Sequence, residues 1–242
     1  MSLPKISVPS FEIELFSTNK KIEVRPFLVK EEKLLLIALE SNNTNEILKT
    51  VKKTIQDCII TPNINIKDLS YIDIEYLFLK IRNSSLGERI TVVITCPETN
   101  KKFDSEVDLS DIHIEKNPEN IFNIEVSPSV GILMKYPSFD SMENFYNKNI
   151  SSETKFNMLI NCVDTIYDND SVYSSKDYSA EEITNFVNNL PKSLLTKINI
   201  FYETLPKIYF SSNIISPYTQ KMVKVRMDNF LDFFVLDFLG NH

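Results

Sequence analysis

The chain of 242 residues holds only three glycines, Gly87, Gly131 and Gly240. A loop that cradles phosphates needs several glycines close together, so nucleotide chemistry of that kind has nowhere to sit. Tryptophan is absent and histidine occurs twice, as His113 and His242. His113 lies in an Asp-Ile-His-Ile-Glu stretch, and a lone histidine beside acids reads as a surface residue rather than a general base. The three cysteines, Cys58, Cys96 and Cys162, are odd in number and far apart. They read as reduced thiols of a cytosolic protein, not as a disulfide framework. No apolar run approaches the roughly 18 residues that span a membrane, and Met1-Ser2-Leu3-Pro4-Lys5 shows no secretory signal. The net charge of −7 argues against a protein that coats nucleic acid, because phosphate binding needs a basic face.

What is present is a large apolar stock, 43% of the residues, with sixteen Phe and ten Tyr. That is enough to bury a core in one large domain or two small ones. One short pattern recurs three times. Residues 17–24 read Ser-Thr-Asn-Lys-Lys-Ile-Glu-Val, residues 96–107 read Cys-Pro-Glu-Thr-Asn-Lys-Lys-Phe-Asp-Ser-Glu-Val, and residues 216–227 read Ser-Pro-Tyr-Thr-Gln-Lys-Met-Val-Lys-Val-Arg-Met. The shared core is Thr18, Thr99 or Thr219, then Asn or Gln, then Lys, opening an alternating run. Pro97 and Pro217 precede the second and third copies, and Asp108 and Asp228 follow them at equal spacing. A polar turn between two alternating stretches is the mark of a β-hairpin. The Thr hydroxyls are expected to hold the turns through bonds to the backbone.

Between the hairpins the pattern is helical. Residues 30–41 place Leu34, Leu35, Ile37, Ala38 and Ser41 on one face. Thr44 is placed to cap a helix carrying Ile47, Leu48, Val51 and Ile55. A third helix carries Ile74, Leu77, Phe78 and Ile81 and stops at Gly87. Residues 112–138 look extended and irregular, with a strand at Ile132, Met134 and Tyr136. Residues 153–167 read as a helix with Phe156, Leu159, Ile160, Val163 and Ile166 on its face, and 168–178 as a polar loop. Ser179 with Glu182 forms a capping box. The helix over 192–204 shares Phe201 and Leu205 with the core and ends at Pro206. The fold class is therefore α+β: helices with three hairpins, in two helix–hairpin halves whose origin by duplication is left open. The expected divisions are an N-terminal half over 1–112, an extended connector with a strand over 113–150, and a C-terminal helical half over 151–242.

These residues supply no catalytic constellation, and no cofactor is expected. Cys96-Pro97-Glu98-Thr99 has the spacing of a metal knuckle with Thr in the second ligand position, and Ser216 and Thr219 fill both positions of the third copy. One thiol does not make the four-ligand set of structural zinc, so no metal is expected. Lys20, Lys21, Lys101 and Lys102 at hairpin tips read as solvated, or alternatively as basic tips that meet an acidic partner. The tail from Phe230 is strongly apolar. Phe230, Phe233 and Phe234 follow helical spacing and suit a core face. Leu236 and Leu239 fall off that face and invite cover by a partner or a second copy.

The opening Leu3-Pro4-Lys5-Ile6, the run from Arg25-Pro26-Phe27-Leu28 through Leu36, and Ala38-Leu39-Glu40-Ser41 resemble the start of the baseplate hub assembly proteins of T-even-like bacteriophages. Leu79-Lys80-Ile81-Arg82 with Ser85 and Gly87-Glu88 resembles the same family. So do Phe201-Tyr202-Glu203-Thr204-Leu205-Pro206-Lys207-Ile208, the Pro217-x-Thr219-x-Lys221 hairpin and Asp232-Phe233-Phe234. The resemblance covers most of the chain and is weakest over 112–180. It implies a non-enzymatic role in building the central hub of a contractile tail baseplate, in the host cytoplasm. The implied partners are other phage baseplate hub proteins, with neither nucleic acid nor membrane, and self-association is open. Whether such a protein leaves as a chaperone or stays in the virion tail is open too. The resemblance implies a Cys pair at the middle turn, as in many members of that family, where this chain keeps only Cys96.

Overall fold

The computed structural model describes residues 6–146 and 152–228; the tail residues Phe230, Phe233, Phe234, Leu236 and Leu239 lie outside them. Seven α-helices and eleven strands in small antiparallel sheets make an α+β fold among the described residues. The chain divides into two compact units, one drawn from Met1–Asp68, Ile72–Glu115 and Lys207–His242, the other from Leu69–Tyr71 and Lys116–Pro206.

The first unit carries the three repeats. Strands β1 (Phe11–Glu14) and β2 (Lys21–Val24) form the first hairpin. Helices α1 (Val29–Glu40), α2 (Thr44–Cys58) and α3 (Tyr71–Leu86) follow, with the first residue of α3 belonging to the second unit. Strands β3 (Arg89–Thr95) and β4 (Lys102–Asp108) form the second hairpin. After β5 (His113–Glu115) the chain leaves the unit and returns as β10 (Lys207–Ile215) and β11 (Met222–Met227), which pair in the order β11-β10-β5.

Alternation decides the hairpins: Ile90, Val92 and Ile94 turn inward while Thr91, Val93 and Thr95 face out. Helix α2 forms because Ile47, Leu48, Val51, Ile55 and Cys58 line one buried stripe. Its cap is Asn43, whose side chain accepts from the N–H groups of Asn45 and Glu46, so Thr44 is the first helical residue and not the cap. Helix α3 stops where Gly87 takes φ +91°, and its N–H bonds the Asn83 carbonyl.

In α1 the expected face is rotated. Leu35, Ala38 and Leu39 are buried, but Leu34 and Ile37 are exposed. The phase is set by Glu31, which is 1% exposed. Its carboxylate accepts from Arg25 at 2.9 Å and from the Leu28 N–H at 2.9 Å. Burial works against the charged carboxylate, but the Arg25 and Leu28 bonds outweigh it and hold the Glu31 pKa below its ordinary value.

The second unit is built on the sheet β6 (Asn123–Ser127), β7 (Val130–Met134), β8 (Val163–Tyr167) and β9 (Val172–Ser174), in that order. Its helices are α4 (Phe139–Tyr146), α5 (Ser152–Asn161), α6 (Ala180–Asn188) and α7 (Lys192–Glu203). The segment read as one helix over 153–167 is a helix followed by β8. Val163 and Ile166 are spaced for a helix, but Val-Asp-Thr-Ile-Tyr is β-branched and aromatic and pairs with β7. The polar loop expected at 168–178 holds β9 and a 3-10 turn at Ser175–Asp177. The extended stretch 112–138 holds three strands with irregular links between them, and β7 includes Ile132 and Met134 but stops short of Tyr136.

Ser179 and Glu182 do form the capping box on α6. Phe201 is fully buried and Leu205 nearly so. Phe201 meets Phe122 edge-on, with ring centroids 5.5 Å apart. The Tyr71 hydroxyl donates to the Pro206 carbonyl and so closes this unit where the chain leaves it. No helix among the described residues is long and apolar enough to cross a membrane.

Candidate functional site

The three repeats fold into one turn, drawn three times. In the first, Leu15 N–H donates to Lys20 O at 2.9 Å and Asn19 N–H to Leu15 O at 2.9 Å. In the second, Cys96 N–H donates to Lys101 O at 2.9 Å and Asn100 N–H to Cys96 O at 2.8 Å. In the third, Ser216 N–H donates to Lys221 O at 2.9 Å and Gln220 N–H to Ser216 O at 2.9 Å. The fifth residue takes a positive φ in every copy: 55° at Asn19, 54° at Asn100 and 57° at Gln220. Asparagine tolerates this left-handed region because its short amide bonds locally, and glutamine occupies it here at some conformational cost.

The fourth residue is always Thr. Thr18, Thr99 and Thr219 accept from the N–H groups of Lys20, Lys101 and Lys221 at 3.4, 3.5 and 3.4 Å. Bonds that long are weak, so the Thr hydroxyls contribute less than the backbone pair. Pro97 and Pro217 sit second in their turns, where a φ near −65° is built in; Phe16 takes that place in the first copy.

The third position differs in each copy and gives each hairpin its own attachment. Ser17 donates through N–H to Asp73 at 3.0 Å and through its hydroxyl to the same carboxylate. Asp73 is fully buried in α3. Glu98 pairs with Lys221 of the third turn at 2.7 Å, which raises the Lys221 pKa above its ordinary value. The Tyr218 hydroxyl donates to the Lys102 carbonyl at 2.8 Å. Its ring meets Phe103 edge-on at 6.1 Å, and Lys101 Nζ sits 5.4 Å above it. The second and third turns are therefore lashed together, and the first is fastened to α3.

At the centre of the joined pair, Ser216 Oγ donates to Cys96 Sγ at 3.3 Å, both residues being fully buried. The Ser216 hydroxyl, then Thr99 and the nearby backbone N–H groups, stabilise the thiolate and draw the Cys96 pKa down to about 6. Burial drives the other two thiols the opposite way, Cys58 and Cys162 both reaching about 12. Among the described residues no group of three or more His, Cys, Asp or Glu is placed to hold a metal. The arrangement fastens two hairpins and presents their tips.

Of the tip lysines named from the sequence, Lys101 directs its charge at the Tyr218 ring; Lys221, which the sequence reading did not single out, pairs with Glu98. Asp73 escaped the sequence reading because a carboxylate near a helix start has an ordinary account in the helix dipole. Tyr218 and Glu98 carried one available signal: between a shared Pro and a shared Thr in the second and third copies, theirs is the position where Glu stands in one and Tyr in the other. Residues 8–235 match the family described as T4 bacteriophage base plate protein. No curated protein and no solved structure matches the chain.

Proposed function

Since the chain belongs to the T4 bacteriophage base plate protein family, with a structural or assembly role in the tail baseplate, we propose that it promotes assembly of the baseplate's central hub through protein–protein contacts, without enzymatic chemistry. The observation that carries this reading is the extent of the match, which runs from before the first hairpin to past the third. The geometry supports it as well. Three turns of one shape are anchored by side chains, and the residues they order serve attachment, not catalysis. Action in the host cytoplasm, with other hub proteins as partners, completes the proposal.

In this reading the protein behaves as a chaperone that leaves before the tail is finished. Complementation of a phage lacking the protein, with mass spectrometry of purified particles, tests it. Failure of hub assembly without the protein, and its absence from finished particles, is the expected result. Stoichiometric presence in the particles would make it a retained hub subunit instead. Complete hubs built in its absence would overturn the assembly role.

A further inference from the structure

Strand β11 stands at the rim of its sheet. It pairs with β10 on one side, and among the described residues no strand pairs with it on the other. Such an edge offers a row of unpaired N–H and C=O groups, which proteins usually blunt with charge. The repeats supply an internal comparison. The outward pair that flanks the turn is Glu14 opposite Lys21 in the first hairpin and Thr95 opposite Lys102 in the second. In the third it is Ile215 opposite Met222, which are 59% and 76% exposed. From Met222 the outward row of β11 continues with Lys224 and Arg226, and its inward row is Val223, Val225 and Met227.

The segment over 230–239 follows β11 almost at once and lies outside the described residues. It carries eight apolar residues with Asp232 and Asp237. A helix gives this sequence no polar side. Asp237 comes seven residues after Phe230, four after Phe233 and three after Phe234, which sets it in the middle of the phenylalanine face. A strand running back along β11 sorts the same residues. With Asp228, Asn229 and Phe230 as the connection, a common hairpin loop length, Leu231, Phe233 and Val235 fall opposite Met227, Val225 and Val223. On the outward row Asp232 falls opposite Arg226, Phe234 opposite Lys224 and Leu236 opposite Met222. Asp237 then meets Lys221.

We propose that residues 231–237 dock on the open edge of β11 as an added antiparallel strand, in that register. The match selects this occupant: apolar residues meet the inward row, Leu236 covers Met222, and both carboxylates meet basic residues. The tether selects it again, since a segment joined by so short a link is present at millimolar effective concentration. The edge of a second copy does not fit, because pairing two β11 strands sets Lys224 against another Lys224 or against Arg226. The docked strand closes an edge that would otherwise accept other chains. The inference stands apart from the hub reading, because it concerns the folded chain alone.

The test is disulfide closure in the full chain at about 1 μM, well below the effective concentration of a tethered segment. The native Cys58, Cys96 and Cys162 are buried and leave the oxidant to the added pairs. Met222→Cys with Leu236→Cys, and separately Lys224→Cys with Phe234→Cys, should each close within one chain, since directly opposed residues have the separation a disulfide spans. Lys224→Cys with Val235→Cys puts its second thiol on the other face and should close at least about ten times more slowly. Equal rates for all three pairs, or no closure of the first two, overturns the proposal. So does closure between chains in place of closure within one, which would put the segment on a second copy.

Discussion

Ser216 Oγ donates to Cys96 Sγ at 3.3 Å, and the two residues occupy the same first position in two copies of one turn. A contact between equivalent positions of two repeats joins the second hairpin to the third at their matching points. Its chemistry is lopsided: one side supplies a thiol, the other a hydroxyl that donates to it.

This contact makes Cys96 the thiol to titrate first. A thiolate absorbance step near pH 6 is expected from the intact chain, well separated from Cys58 and Cys162 near pH 12. Ser216→Ala should move the step upward towards the ordinary thiol value. The folded pKa is depressed, so its stabilising contribution is present above the unfolded pKa near 9 and is lost as pH falls through about 6. Denaturation midpoints should accordingly rise between these limits in wild type and rise less in Cys96→Ala. A single titration step at the ordinary thiol value would refute the assignment.

The same geometry predicts a gain of metal binding. Cys96, Thr99, Ser216 and Thr219 fall at the four ligand places of two facing knuckles. Tetrahedral zinc thiolates have Zn–S of about 2.3 Å, which puts the sulfurs about 3.8 Å apart; the present pair lies at 3.3 Å. The triple change Thr99→Cys, Ser216→Cys, Thr219→Cys should create a site that takes up cobalt with a tetrahedral thiolate spectrum. An octahedral spectrum, or none, would show that the two turns do not face one another closely enough.

The first turn should depend on α3. Ser17→Ala removes a hydroxyl bond to the buried Asp73 carboxylate and is expected to cost about 1.5–3 kcal/mol, the range for bonds to charged groups. A double-mutant cycle with Asp73→Asn should show coupling of at least about 0.5 kcal/mol. Additive losses in urea denaturation would separate the two residues.

Glu31 gives a second pH signature, in the acid range. Its pKa is held down by Arg25 and the Leu28 N–H, so the stabilisation is present above the ordinary carboxylate value and fades as pH falls through the depressed one. Glu31→Gln should cost about 3 kcal/mol at neutral pH by leaving Arg25 without its buried partner. It should also flatten the acid limb of the stability curve. An unchanged acid limb would place the acid sensitivity elsewhere.

Gly131 should resist replacement while Tyr167 is present. Gly131→Ala is expected to destabilise by about 1–3 kcal/mol, the usual cost of overpacking. In a Tyr167→Ala background the same change should cost far less, because the ring it would meet is gone. Equal costs in both backgrounds, read from thermal melts, would mean that the ring moves aside freely.

The hairpins were legible because Thr, Asn or Gln, and Lys recur at the start of alternating runs, and a two-residue period has no helical counterpart. Helix α2 was equally plain, with its apolar residues on one stripe. Helix α1 was not, because Leu34, Leu35, Leu36 and Ile37 are consecutive and leave the helix phase undetermined; the Arg25–Glu31 pair supplied it from outside the pattern. Strand β8 was hidden by its bulge. The register shifts at Leu133 and Met134, so that Asp164 interrupts the alternation and leaves Val163 and Ile166 at a helical spacing. The attachment of each turn was invisible for a simpler reason. Which distant residue meets Ser17, Glu98 or Tyr218 is a property of the folded chain, and the local sequence carries no trace of it.

In each turn the backbone bonds that close the loop join the first, fifth and sixth residues, and the third takes no part in them. Form and destination are thereby carried by different letters of one short word. A substitution at the third position leaves the backbone bonds that close the loop untouched. A chain that holds three such words can explore new arrangements of its hairpins without first unlearning how to fold them.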